Sequence, residues 1–438
     1  MLNVALITLG CAKNLVDSEV MSGYLAKAGY SFVLDPEDAD ILIINTCGFI
    51  QPARDEAVQE LKRAVFLKRK AKDIKIIAIG CYVERDEKFL RSAFPEVDLW
   101  RGVSDFHNIV QIIEGKSPKP TSGCYLYDHT SPRLVSTPPA WAYIKISEGC
   151  SHTCSFCAIP LIKGAYKSRE IPSILHEAES LISKGAKEIN LISQDSTYYG
   201  RDRGLKDGLT QLLQELINIK GLEWIRILYG YPEEVNDSLL EIMQEDKICS
   251  YLDLPFQHAD SRIINRMKRS MDGDRALTLI KKIRKAIPDV ALRTSLVVGF
   301  PGEGKKEFEN LKKFVEEARF DHLGVFVYSR EAGTACYFSG DPVKQKVKER
   351  RRKQLLAIQE DISFEKNSKY LEKCIDVLVE GTWKQDSNRP IGRARFQAPE
   401  VDGVVFLNSS PVLSKVVNTV QNVEITDHDI YDLYGHIL

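Results

Sequence analysis

The chain has 438 residues, 44% of them hydrophobic and 28% charged, with a formal net charge of -1. That length suits about two to four domains of ordinary globular material, and the near-zero balance excludes recruitment of nucleic acid or anionic membrane by a global basic field. No apolar run approaches the length of a bilayer span, so a cytoplasmic location is expected, where ten cysteines point to metal or catalysis rather than disulfides.

Residues 1–118 alternate apolar runs with helical stretches. Val4–Gly10, Ile41–Thr46 and Ile74–Gly80 read as strands, and Val16–Ala28, Arg54–Lys70 and a stretch after Val83 read as helices. Such alternation predicts a parallel sheet with helices packed on it. Met1–Cys11 ends in Gly-Cys, as a lipoprotein signal does, but it is short and has no basic residue before Cys11, so it reads as a first strand. All three strands run into a cysteine: Cys11, Cys47 and Cys81. The carboxyl ends of parallel strands share one edge, where such sheets bind ligands. One buried cysteine at a strand end is unremarkable; three at the same topological position predict a cluster site that leaves one iron open.

Ser117–Ala140, with Pro118, Pro120, Pro132, Pro138 and Pro139, reads as a linker (119–140) with a short extended segment at Cys124–Tyr127. From Trp141 the alternation resumes. Strands are predicted near 142–147, 188–193, 224–229, 250–255, 291–298 and 323–328, and helices near 172–184, 208–219, 236–245, 273–286 and 305–318. Six such units predict a curved parallel sheet, an open barrel whose functional groups come from the loops after its strands. Gln194-Asp195-Ser196-Thr197 follows the second strand, Pro255-Phe256-Gln257-His258 the fourth and Gly299–Glu303 the fifth. Taken alone, His258 reads as a structural loop histidine, and Gly299 and Gly302 as turn glycines.

The first of these loops holds Cys150, Cys154 and Cys157, spaced C-x3-C-x2-C. Thiolate is a soft ligand that suits iron–sulfur clusters and zinc. A structural zinc wants a fourth ligand, and the one close candidate, His152, is too near its neighbours to be well placed. Three cysteines on a cubane of four irons leave one iron without a protein ligand, where a small molecule can bind and be reduced.

Asp341–Asn367 reads as one helix with a basic first half (Lys344, Lys346, Lys348, Arg350, Arg351, Arg352 and Lys353). That run reads as a solvated face, with contact to RNA phosphates as the alternative; Val347, Leu355, Ile358 and Ile362 supply the buried stripe. From Ser368 to Leu438 short apolar runs, Cys374–Glu380, Gly392–Phe396 and Val404–Leu407, alternate with turn residues, predicting a five-stranded β-barrel. This tail carries seven Lys/Arg against ten Asp/Glu, a balance that disfavours phosphate backbones, although Arg389, Arg393 and Arg395 could form a local basic patch.

The spacing of Cys150–Cys157 resembles the signature of the radical S-adenosylmethionine (SAM) enzymes, and the chain resembles their methylthiotransferase family over nearly its whole length. Leu9–Glu19, Ile192–Gly200, Tyr251–Ala259 and Phe326–Glu331 resemble the RimO branch, which modifies an aspartate of ribosomal protein S-twelve. The alternative is the MiaB-like branch, which modifies an adenosine of tRNA; it usually shows Gln-Asn where this chain has Gln194-Asp195. Ala12 departs from the proline commoner in the RimO branch.

The resemblance implies an N-terminal methylthiotransferase domain (1–118), a radical SAM core (141–340), a connecting helix (341–367) and a TRAM β-barrel (368–438). It implies two [4Fe-4S] clusters, one on Cys150, Cys154 and Cys157 and one on Cys11, Cys47 and Cys81. SAM would serve twice, as the source of the radical that removes hydrogen from the aspartate β-carbon and as the methyl donor. Phe156, Gln194 and Arg293 are the candidate SAM contacts, and no catalytic side chain beyond the cluster ligands is implied. The expected partners are S-twelve and a flavodoxin-like or similar reductant, with tRNA less favoured and no membrane. A rival reading, an electron carrier or cluster sensor, wants a full ligand set for each cluster. The remaining Cys124, Cys249, Cys336 and Cys374 are scattered and read as packing residues.

Overall fold

A computed structural model describes residues 2–70, 73–116, 123–383, 385–408 and 416–438. Pro118 and Pro120, with the start of the predicted linker, lie outside the described residues. The chain forms two compact units: Met1–Ser136 with Lys145–Ile174 and Ser329–Tyr337, and Thr137–Ile144 with Leu175–Tyr328 and Phe338–Leu438.

In the first unit β1 (Asn3–Thr8), β2 (Ser31–Phe32), β3 (Ile41–Thr46), β4 (Lys75–Gly80) and β5 (Leu99–Arg101) make a parallel sheet in the order β2-β1-β3-β4-β5. Every residue of β3 is buried, as expected of a parallel strand covered on both faces. Leu42 and Ile44 join one apolar cluster with Ala57 and Leu61, and Ile41 and Ile43 join another with Met21, Leu25 and Phe106. The three predicted helices lie at Ala12–Lys27, Gln51–Lys70 and Cys81–Ala93, the last starting before the predicted Val83.

The segment predicted as a linker is anchored. Glu19, 2% exposed, accepts from Arg133 at 2.9 and 2.6 Å and from the backbone and hydroxyl of Ser136 at 2.7 and 2.8 Å. Residues 124–127 join no sheet.

The next strands are β6 (Trp141–Lys145), β7 (Ser147–Glu148), β8 (Lys167–Ser168), β9 (Glu188–Ile192), β10 (Trp224–Ile227), β11 (Tyr251–Asp253), β12 (Ala291–Val298) and β13 (His322–Val327). The ladders β10-β9-β6 and β11-β12-β13 are joined where Ile225 bonds Lys247 and Cys249 and where Gly230 bonds Asp253. Six strands thus follow one another in sequence order, as predicted for the open barrel. The five predicted helices lie at Ile171–Ser183, Gly208–Leu216, Asp237–Ile242, Gly273–Ala286 and Lys305–Ala318, and Ser261–Arg266 adds a short one.

The basic helix spans Gln345–Ser368 and corrects the reading of its charges. Lys348 and Arg351 are buried: Lys348 reaches Asp341 at 2.6 Å and the Tyr328 carbonyl at 3.0 Å, and Arg351 reaches Glu303 at 2.6 Å. Lys344, Lys346, Arg350, Arg352 and Lys353 are exposed.

The tail closes into a barrel of β14 (Cys374–Trp383), β15 (Asp386–Ala394), β16 (Val405–Leu407), β17 (Val420–His428) and β18 (Leu433–Ile437), with Val377, Val379, Val405, Val423, Ile425 and Leu433 inside. Cys374, read as a packing residue, is exposed because the strand alternation turns it away from that core. The end of β15 and the segment after it are bound to the open-barrel strands. Arg393 meets Glu188 and Glu380 at 2.5 Å each, and Glu188 also holds Arg226 at 2.7 Å. Asp402 takes the Tyr251 hydroxyl at 2.7 Å and Arg293 at 2.6 Å.

Candidate functional site

Cys11, Cys47 and Cys81 follow β1, β3 and β4 at the carboxyl edge of the parallel sheet, beside the reversal of strand order between β1 and β3, where doubly wound sheets bind ligands. Cys11 caps the helix Ala12–Lys27 and Cys81 opens Cys81–Ala93, and helix N-termini favour thiolate. Asn14, 1% exposed, ties the three loops together: its amide donates to the carbonyls of Leu9 and Thr46 at 3.0 and 3.2 Å, and its oxygen faces Cys81 Sγ at 3.6 Å.

The donor set fits a cluster. Burial pushes the Cys47 thiol up to about 11, and it pushes Cys81 higher still against the opposing charge of Lys163. A thiol ligates a metal as thiolate, so loading a cluster here would release these protons. Among the described residues no three His, Cys, Asp or Glu side chains converge tightly enough for a single metal ion; thiolates on separate irons stand further apart than ligands of one zinc. Room is made by Gly10 at φ +94, where a Cβ would lie 2.7 Å from Cys47 Cβ and 2.8 Å from its Sγ. Gly10→Ala should therefore lose the N-terminal set's share of iron, about half the total if both clusters are of the four-iron type; iron and sulfide analysis after anaerobic reconstitution checks it.

The second set lies on the loop between β7 and the helix Ile159–Lys163. The β7–β8 pair ties the two arms of this segment together, and Cys150 donates its N–H to Gly164 at 3.1 Å. Gly149, at φ +80, passes so close to Ala165 that a Cβ would meet its carbonyl oxygen at 2.2 Å. Cys150, Cys154, Phe156 and Cys157 are all half-buried. Within the loop Cys157 N–H donates to the Cys154 carbonyl at 3.2 Å, and Ser155 accepts from Cys336 N–H at 2.7 Å.

Gln194 is half-buried just past the end of β9. Arg293 is engaged elsewhere: it lies near the start of β12 with its guanidinium on Asp402, not at the carboxyl ends that carry the ligand loops. His258 is fully buried. Its Nδ1 accepts from Asp260 N–H at 3.0 Å and its Nε2 stands 3.3 Å from Glu303, which also holds Gly299 N–H and Arg351. Cys249 and Cys336 are buried and Cys124 is half-buried.

Sequence reasoning missed Asn14, the ion quartet of Asp17, Lys145, Glu148 and Lys163, and Glu331. The available signal was a lysine and a glutamate inside the apolar run Trp141–Gly149, all of it buried. Glu331, 2% exposed, holds Arg54 at 2.5 Å and Arg85 at 2.7 Å.

Three family models match in chain order: the Uncharacterized protein family UPF0004 over residues 3–102, the Radical SAM superfamily over 144–315 and the TRAM domain over 373–438. Proteins named "Ribosomal protein uS12 methylthiotransferase RimO" match end to end. That of Syntrophus aciditrophicus is 44% identical over 100% of this chain and 98% of its own. Those of Geobacter sulfurreducens and Aquifex aeolicus are each 43% identical over 99% of this chain, and over 98% and 97% of theirs. The chain belongs to the RimO family of methylthiotransferases.

RimO membership makes it a radical SAM transferase, working with SAM and iron–sulfur clusters, and leaves the MiaB-like alternative the weaker case. Among solved structures, the radical SAM methyltransferase TsrM from Kitasatospora setae aligns with TM-score 0.55 at 13% identity, covering 77% of this chain and 75% of its own. The radical SAM enzyme OxsB aligns with TM-score 0.51 at 12% identity, covering 83% and 56%. These likenesses concern the fold. No helix among the described residues is long and apolar enough to cross a membrane.

Proposed function

We propose that this protein attaches a methylthio group to the β-carbon of an aspartate in the small-subunit ribosomal protein uS12. In this reading Cys150, Cys154 and Cys157 hold the cluster that receives SAM, and Cys11, Cys47 and Cys81 hold a second. A cluster with an open iron supplies the one-electron chemistry needed at an unactivated C–H bond, which no side-chain acid or base provides. The chain's own residues hold the ligands and shape their surroundings. Asn14 binds the three N-terminal strand ends to one another. Gly10 and Gly149 let backbone pass where a Cβ would collide. Phe156 and Gln194 are kept as SAM contacts, Arg293 as a support for Asp402. The electrons come from an external donor, flavodoxin-like or similar, and the setting is the cytoplasm.

The observation that carries the reading is the pair of three-cysteine sets within one compact unit of a chain similar to RimO proteins from end to end. The C-terminal barrel supports a protein substrate over an RNA one. Of its three suspected basic residues, Arg393 is buried on two glutamates, and Arg395 donates to the Asp246 and Ile248 carbonyls. Arg389 stacks over Phe406 at 3.9 Å. Arg393 is thus neutralised, and the acidic excess of the tail favours a basic partner over a phosphate backbone. The test offers reconstituted enzyme the isolated uS12 protein, intact small subunits and unmodified tRNA under identical reducing conditions. Methylthio-aspartate on the protein, with none on tRNA, is the expected result; methylthio-adenosine instead would overturn it.

A further inference from the structure

Four almost fully buried charged side chains meet in the first unit: Asp17, Lys145, Glu148 and Lys163, each 0–3% exposed. Lys145 Nζ bonds Asp17 and reaches Glu148 at 2.7 Å, and Lys163 Nζ stands 3.4 Å from both carboxylates. Tyr127 closes the group from one side, accepting Lys145 N–H at 3.3 Å, with its ring centre 5.9 Å from the Lys145 ammonium. The charges sum to zero.

Their origin in the chain is telling. Asp17 lies on the helix that Cys11 caps. Lys145 and Glu148 immediately precede Cys150, and Lys163 ends the short helix that follows Cys157. That short helix and the residue before it bury Ile162 and Ala158 in the same apolar cluster as Cys81. Lys163 also lies 5.5 Å from the ring centre of Phe106 in that cluster, and its charge is felt at Cys81 and Cys47.

Such a group adds little net stability over an apolar equivalent, but it admits one arrangement, because displacing a member leaves an unpaired buried charge. Resting on the cluster assignment above, we propose that Asp17, Lys145, Glu148 and Lys163 are positioning residues that couple the two cysteine sets. They fix the helix of Cys11 to both flanks of the Cys150–Cys157 loop, and they set the field in which the N-terminal set holds its cluster, with Lys163 as the cation on that side.

The proposal makes opposite demands on two substitutions. In a Cys154→Ala background, where only the N-terminal cluster is read, Lys163→Gln removes a positive charge and should move the cluster's midpoint potential more negative. Asp17→Asn removes a negative charge and should move it more positive. The Asp17→Asn/Lys163→Gln double variant and Lys163→Arg keep the charge sum and should stay near the parent. Potentials are measured by EPR-monitored redox titration of reconstituted protein. Shifts of the same sign in the two single variants, or none, overturn the proposal. A Cys154→Ala parent holding no cluster at all would remove the cluster assignment and the proposal with it. Hydrogen exchange on the unaltered chain needs no substitution: amides of Ala12–Lys27 and Ile159–Lys163 should open together, and independent opening overturns the coupling.

Discussion

A Cys154→Ala protein will lose cleavage of SAM to 5′-deoxyadenosine, whereas a Cys47→Ala protein will keep it and fail to attach sulfur. The argument rests on separate ligand sets. Cys154 lies on the loop that follows β7, and Cys47 lies at the end of β3, buried and paired topologically with Cys11 and Cys81. Each variant should retain about half the iron of the parent if each set holds a four-iron cluster. Loss of either thiolate removes one of three protein ligands, so the effect on the corresponding step should be near-complete. Chromatography of the nucleoside product and mass spectrometry of uS12 separate the two steps. Methylthio product from Cys47→Ala, or SAM cleavage by Cys154→Ala, would remove the division of labour.

Glu188→Ala will destabilise the second unit by about 3–5 kcal/mol, the range for breaking a buried ion pair by removing one partner. Glu188 is 0% exposed and stands between Arg226 at 2.7 Å and Arg393 at 2.5 Å. Guanidinium cannot shed its charge, so both cations would remain buried, with Arg393 left to Glu380 alone. Burial by itself would raise the Glu188 carboxyl, but Arg393 and Arg226 outweigh it and hold the group below the ordinary glutamate range. Its contribution is therefore full above the unfolded value of about 4.3 and is lost as pH falls through the lower folded value. Denaturation midpoints of parent and variant should differ widely at pH 7 and converge only in acid. A difference under about 1 kcal/mol at neutral pH would mean that water reaches the site and screens the pair.

The strands and both cysteine sets were legible because each obeys a local rule. Parallel strands covered on both faces read as unbroken apolar runs, as Ile41–Thr46 does, and C-x3-C-x2-C is a spacing within one loop. Convergence of Cys11, Cys47 and Cys81 needed one further step, from strand alternation to a shared edge. What was hidden depends on partners far along the chain. Nothing near Asp17 announces Lys145, 128 residues on. The place of Arg293 near the start of its strand was hidden as well, because strand periodicity gives a face of the sheet but not a height along it.

The basic helix misled for a different reason. Its buried stripe is Lys348, Arg351, Leu355, Gln359 and Ile362, which keeps helical spacing. Hydrophobicity selected Val347 and Ile358 instead, both only half-buried, because long cations that find carboxylate or carbonyl partners can occupy an interior face.

The first unit is assembled from three separate stretches of chain, and this limits how the protein can be cut or recombined. Residues 1–118 expressed alone would lack Ile162 from the apolar cluster around Cys81 and Lys145 opposite Asp17. They would also lack Glu331, where Arg54 and Arg85 meet. Such a fragment would carry Cys11, Cys47 and Cys81 on a sheet with one flank open to water and two arginines without their carboxylate. A chimera joined at a sequence-defined boundary would inherit the same mismatch unless both parents shared the residues on each side. Gene fusion and domain exchange thus act here on a unit whose boundary does not coincide with any single cut in the chain.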